Sequence, residues 1–124
     1  MGTARVFLLT MIELYGLNNC DTCRKAIKDL KEGGFDYNFS DFKKDGLNLT
    51  DLKSWLVSVG CDILVNKRGT TWRRLSDNEK ADLNNEKLLA LIIKYPALIK
   101  RPVFKVGNKL IIGYKEEQKK ALGL

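Results

Sequence analysis

Ile12-Glu13-Leu14-Tyr15-Gly16-Leu17-Asn18-Asn19-Cys20-Asp21-Thr22-Cys23-Arg24-Lys25-Ala26-Ile27-Lys28-Asp29-Leu30 is the stretch that decides the fold. Residues 12–16 alternate apolar and polar, the period of a strand with one buried face. Residues 24–30 carry the spacing of a helix. Between the two stands Cys20-Asp21-Thr22-Cys23, a C-x-x-C at a strand-to-helix turn. A sulfur at a helix start meets unpaired backbone N–H groups and the positive end of the macrodipole, and both favour thiolate over thiol. The second sulfur, one turn on, has the spacing to reach back and resolve a mixed disulfide. The motif therefore predicts redox chemistry, with Cys20 as nucleophile and Cys23 as resolving thiol.

Composition narrows the chemistry. The chain has 124 residues, 44% of them hydrophobic, which suits one domain with a modest core. Its 22 Lys and Arg outnumber 15 Asp and Glu, and the net charge of +7 favours anionic partners. Histidine is absent, which removes Ser-His and Cys-His triads and every histidine-based proton shuttle. Three cysteines without histidine make no four-ligand zinc site, so no metal is expected. An odd cysteine count with a close C-x-x-C fits a reducing, cytoplasmic setting better than a secreted disulfide scaffold. No stretch approaches the ~20 apolar residues of a membrane span. Residues 1–10 read as an N-terminal extension or leader, because Val6 to Leu9 follow Arg5 but Glu13 interrupts the run and no small-residue cleavage site follows. Residues 11–124 read as one domain.

Further along, Gly33-Gly34 predicts the end of the first helix. Phe35 to Phe39 alternates as a strand. Thr50 is the expected cap of a helix over 51–59, with Gly60 as its stop. Residues 63–65 read as helical or extended, and Asn66 to Arg74 as a polar, basic loop. Ser76 is the expected cap of a helix over 77–81, and Asn84 or Asn85 of one running to Tyr95. Pro96 opens a further short turn. Two strands over 103–106 and 110–113 flank the hairpin signal Gly107-Asn108, and a helix over 115–122 closes the chain. The order predicts an α/β, thioredoxin-like fold. It has a mixed four-stranded sheet and a helical insertion subdomain over about 45–98.

The segments Leu14 to Ala26, Asn66 to Arg73, Ile99-Lys100-Arg101-Pro102-Val103 and Leu110 to Tyr114 resemble the arsenate reductase/Spx family, in its YffB-like branch. The resemblance implies the same fold and Cys20 as nucleophile. It also implies a cis peptide before Pro102. Thiol exchange at Cys20 requires no metal or organic prosthetic group, so no bound cofactor is expected. Arg101 matches one of three arginines that surround the oxyanion in the arsenate reductases. The other two fall near Asn66, with Arg68 two residues on, and near Gly113. Arg101, Pro102, Arg68 and Asn66 are therefore the expected substrate- or anion-binding residues. The function expected first is a thiol–disulfide oxidoreductase with glutathione or another small thiol as co-substrate, and glutaredoxin or thioredoxin as candidate partners. A glutaredoxin- and glutathione-dependent arsenate reductase is the alternative. A redox-sensing, Spx-like regulator that binds RNA polymerase is the third reading.

Overall fold

A computed structural model describes residues 11–124. The expected leader at residues 1–10 lies outside the described residues. The chain divides into two compact units, one built from the residues up to Asp45 together with Arg101–Leu124, the other from Gly46–Lys100.

The first unit is organised by a four-stranded sheet in the order β2-β1-β3-β4. Strand β1 (Ile12–Gly16) is followed by helix α1 (Asp21–Glu32), and β2 (Tyr37–Asp41) pairs parallel to β1, with Ile12 opposite Tyr37 and Gly16 opposite Asp41. Strand β3 (Val103–Val106) runs antiparallel on the other side of β1, and β4 (Lys109–Ile112) pairs antiparallel with β3. Helix α7 (Glu116–Leu122) ends the chain. This is the thioredoxin-like plan.

The sequence pattern explains the packing. Ile12 and Leu14 on one face of β1 meet Ala26 and Leu30 of α1, Phe104, Ile111, Tyr114 and Leu122 in one core cluster. Ala26 and Leu30 are an i, i+4 pair, so one helical stripe covers the sheet. Leu30 is fully buried, and cutting such a side chain to alanine costs about 2–5 kcal/mol. The α1 end is closed by the Gly33 N–H donating to the Asp29 carbonyl at 2.9 Å. Gly34 follows with φ of 73°, a left-handed conformation that glycine adopts without a Cβ clash. The Tyr114 hydroxyl donates to Asp29 Oδ2 at 2.5 Å, tying α1 to the segment between β4 and α7. Burial and the neighbouring Asp29 carboxylate both hold the Tyr114 phenol in its protonated form.

Strand β2 lies two residues later than the alternation predicts. The parallel register to β1 sets its start at Tyr37, and Phe35 instead packs against the core cluster as part of the α1–β2 connection.

The second unit is helical: α2 (Leu49–Val59), α3 (Cys61–Leu64), α4 (Thr70–Arg74), α5 (Asp77–Lys80), α6 (Asn85–Lys94) and a 3-10 turn (Pro96–Leu98). Helix α2 begins earlier than expected because Asn48, not Thr50, caps it: Asn48 Oδ1 accepts from the Asp51 N–H at 3.0 Å. Ser76 and Glu79 form a reciprocal capping box, and Asn84 caps α6. Residues 66–74 are not all loop, since Thr70–Arg74 form α4. Val65 bridges Ile99, and the Asn66 N–H donates to the Leu98 carbonyl at 2.8 Å, so the segment after α3 is stitched to the end of the unit.

Candidate active site

The site grows from the end of β1. Gly16 closes the strand, Leu17 to Asn19 make a short loop, and Cys20 is the N-cap residue of α1 in extended conformation. The loop is pinned at several points. The Cys20 N–H donates to the Leu17 carbonyl at 3.2 Å, and the Cys20 carbonyl accepts from the Arg24 N–H at 3.0 Å. The Asn18 N–H donates to Asp41 Oδ2 at 2.7 Å, and the Asn18 carbonyl accepts from Arg24 Nε at 3.2 Å.

The two cysteines differ sharply. Cys20 is partly exposed and Cys23 is fully buried. Burial alone would raise the Cys20 pKa. The N–H and thiol of Cys23 and the guanidinium of Arg101 overcome it, and the net effect holds Cys20 below an ordinary thiol. The Cys20 side chain does not close a capping hydrogen bond of full geometry, but the Cys23 N–H lies near enough to favour its anion. Its anionic form is favoured by the Cys23 donors and the Arg101 charge. Cys23 moves the other way, up to about 12, first because it is buried and then because the Cys20 sulfur faces it; the Leu17 backbone and the Arg101 charge act against this rise. The pair is thus biased in one sense, with Cys20 the more acidic thiol and Cys23 the less acidic one.

Gly16 shapes the Cys23 socket. A Cβ at position 16 would stand 2.5 Å from Cys23 Sγ, closer than any side chain tolerates. The glycine at the end of β1 is there for close approach of a sulfur, not for a turn.

Arg101 and Pro102 come from the segment that leads into β3. The Arg101–Pro102 peptide is cis, Pro102 is buried and its carbonyl accepts from the Gly113 N–H at 2.9 Å. The pairing of β3 with β1 brings this turn to the end of the sheet where Cys20 stands.

Asn66 and Arg68 belong to the helical unit. Asn66 Oδ1 accepts the Arg68 N–H at 3.2 Å and so shapes its own turn, while the Arg68 side chain is exposed. Cys61 is a free, partly exposed cysteine at the start of α3. Among the described residues no group of three or more His, Cys, Asp or Glu side chains is placed to hold a metal ion. No described helix is long and apolar enough to cross a membrane. A cavity of about 690 Å³, lined by Ile12, Phe35, Val106, Ile111 and Leu122 among others, opens where β1 begins, and Cys20, Cys23, Arg101 and Pro102 do not line it.

Sequence reasoning missed Asp41. The residue is 6% exposed, and its carboxylate accepts hydrogen bonds from the backbone N–H groups of Lys43, Lys44 and Asn18. The signal available was weak: an acidic residue directly after a strand-like run reads as an ordinary turn residue.

The ArsC family model matches residues 15–122. An uncharacterized protein of Haemophilus influenzae is 40% identical over 111 residues, covering 90% of this chain and 97% of that protein. The global transcriptional regulator Spx 2 of Bacillus anthracis is 31% identical, covering 87% of this chain and 83% of the regulator. Among solved structures, the YFFB protein superposes with a TM-score of 0.83 at 36% identity, covering 90% of this chain and 97% of that one. An arsenate reductase (ArsC) related protein of Brucella melitensis gives 0.73 at 36% identity, covering 90% and 92%. The cysteine at the head of α1, the sheet that carries it and the matched span together make this chain a member of the ArsC family.

Proposed function

We propose that the protein is a thiol–disulfide oxidoreductase that uses Cys20 as its nucleophile and glutathione as its thiol co-substrate. The observation that carries the reading is the opposed state of the two cysteines: a partly exposed sulfur biased to thiolate beside Arg101, backed by a buried thiol. The Cys20 thiolate attacks the glutathione sulfur of a mixed disulfide. The S–S bond breaks, the substrate leaves as a thiolate and takes a proton from water, and glutathione is held on Cys20. A second glutathione thiolate then attacks the held glutathione sulfur, releasing glutathione disulfide and Cys20 thiolate. In net terms one glutathione thiol is oxidised: it replaces the substrate thiol as the partner of the glutathione already present in the mixed disulfide, so one disulfide is exchanged for another and one substrate thiol is freed.

Cys23 offers an internal second route, in which it attacks Cys20 and expels glutathione as its thiol, leaving a Cys20–Cys23 disulfide that two further glutathione thiols reduce with release of glutathione disulfide. The proton it must lose is held by burial and by the negative charge on Cys20. Once Cys20 is in a mixed disulfide that charge is gone, and only burial still raises the Cys23 pKa, so the resolving route opens after the first step and not before. The Arg101 guanidinium suits a carboxylate of the peptide thiol.

A wild-type protein that gains one glutathione at Cys20 on treatment with glutathione disulfide, and a Cys20→Ser protein that gains none and has no reductase activity, is the expected outcome. Full activity in Cys20→Ser ends the reading. A second reading, a redox-sensing regulator, is favoured by relatives named Spx; oxidation-dependent retention of RNA polymerase on the immobilised protein, without turnover of glutathionylated substrates, would select it. Arsenate turnover with glutaredoxin and glutathione would instead select the reductase reading that the Brucella melitensis relative's name suggests.

A further inference from the structure

Asp41 is the buried charged side chain among the described residues. A buried carboxylate is costly unless donors surround it. Here the two oxygens divide their work. Oδ1 accepts the Lys43 and Lys44 N–H groups at 2.7 and 2.9 Å, closing the turn that follows β2. Oδ2 accepts the Asn18 N–H at 2.7 Å, from the loop that ends at Cys20. The Asp41 N–H is itself held by Asp45 Oδ2 at 2.7 Å, and the neighbouring Phe42 N–H donates to the Gly16 carbonyl at 2.8 Å. The end of β2 is therefore fastened both to the last residue of β1 and to the middle of the cysteine loop. Asn18 is gripped from two sides, its N–H by Asp41 and its carbonyl by Arg24.

One bond would satisfy a turn, and Oδ1 already supplies two. The reach of Oδ2 to Asn18 adds nothing to that turn. It fixes the loop two residues before the sulfur, and a thiolate is stabilised only when it is aimed at its donors. We propose that Asp41 is a positioning residue for Cys20: its Oδ2 holds the Asn18 N–H and so fixes the loop that directs the sulfur toward Arg101 and the Cys23 donors. This rests on the reading of Cys20 as the nucleophile.

Asp41→Asn separates the two oxygens. Its amide oxygen retains the turn, while its NH2 faces the Asn18 N–H, donor against donor. Peptide-resolved alkylation with iodoacetamide across pH, with Cys61 as internal reference, reads the result. The expected outcome is a raised pH midpoint at Cys20 and alkylation at pH 7 slowed about 3- to 10-fold, with Cys61 unchanged. General loosening has the opposite sign, because it would make thiols react faster, Cys23 included. Restoration toward the wild-type midpoint in Asp41→Glu would add to the support. An unchanged Cys20 midpoint in Asp41→Asn, with faster hydrogen exchange at the Asn18 amide, overturns the proposal: the tether would then hold the loop and not the sulfur. A wild-type Cys20 that titrates like Cys61 breaks the nucleophile reading, and with it the role given to Asp41, so the two failures are read from different proteins. Should Asp41→Asn not fold, Asp41→Ser keeps an acceptor for the turn, lacks the reach to Asn18, and carries the same comparison and the same outcomes.

Discussion

Two short segments of this chain precede helices and carry polar side chains, yet they are built on different plans. The loop Leu17 to Cys20 closes on itself through the Cys20 N–H and the Leu17 carbonyl, and two side chains from outside hold it as well, a carboxylate on β2 and a guanidinium on α1. The turn Asn66 to Gly69 keeps its side-chain bond within itself: Asn66 Oδ1 accepts the Arg68 N–H, and the Asn66 carbonyl accepts the Gly69 N–H at 3.4 Å, while the Asn66 N–H is anchored by backbone alone, to the Leu98 carbonyl. The first opens a helix of 12 residues, the second one of 5. A self-closed turn is local chemistry and leaves its basic side chains in solvent. A loop tethered across the sheet can hold one atom in one place. Precision at Cys20 draws on the long-range bond from Asp41 in addition to local ones, and the absence of a base such as histidine makes that precision the means of activating the sulfur.

The contrast breaks most visibly at Cys20 itself. Cys20→Ser is expected to abolish thiol-disulfide exchange with glutathionylated substrates, measured by glutathione turnover. Gly16→Ala comes next. Its new Cβ would meet Cys23 Sγ at 2.5 Å, and the overpacking is expected to cost about 1–3 kcal/mol in urea unfolding. An alanine protein as stable as wild type would show that the Cys23 socket has slack. Arg101→Met removes the guanidinium that favours the Cys20 thiolate; the alkylation midpoint should rise and the reaction near neutrality should slow, and an unchanged midpoint would remove Arg101 from the activation of the sulfur.

Smaller effects test the other half. Asn66→Ala removes a local acceptor on a partly exposed turn, and about 0.5–1 kcal/mol should be lost. Truncating the exposed Arg68 should move stability by no more than about 0.5 kcal/mol. An Asn66→Ala loss larger than that from Gly16→Ala would reverse the ranking of the two segments.

Acid sharpens the comparison because it acts on the long-range tether. Burial works against ionisation of Asp41, but the Lys44, Asn18 and Lys43 N–H groups and the Lys43 charge prevail and hold its pKa below the ordinary carboxylate value. The stability this carboxylate contributes is complete above about pH 4, the unfolded value, and is lost as pH falls through the lower native one. Asp41→Asn should therefore show a shallower acid limb in stability against pH. For Cys20 the same sign holds at higher pH: its contribution is complete above the ordinary thiol pKa of about 8.5 and is lost as pH falls through the depressed native value.

Much of the sheet unit was legible because its signals are periodic. Ile12 and Leu14 alternate with Glu13 and Tyr15, and Ala26 and Leu30 sit one helical turn apart. The C-x-x-C lay between a strand and a helix, which is why Cys20 could be singled out. The start of β2 was not legible, because register is set by the partner strand and Phe35 is as apolar as a strand residue. Helix α4 was hidden by two β-branched threonines and two arginines, with no apolar stripe to mark it. Asn48 and Thr50 are both capping residues, and only the bond to Asp51 separates them. Asp41 was invisible for a deeper reason: its importance lies in a bond to Asn18 across the sheet, and no local pattern encodes such a partner.

The pairing of β1 with β3 has a kinetic corollary. Cys20 and Arg101 come from opposite ends of the described chain and meet because these two strands lie side by side. Such a contact closes a long loop and forms slowly relative to a helical turn. During refolding, the head of α1 can form early, but the sulfur gains its cationic neighbour only when the far strand docks, so reactivity at Cys20 is a clock for completion of the sheet.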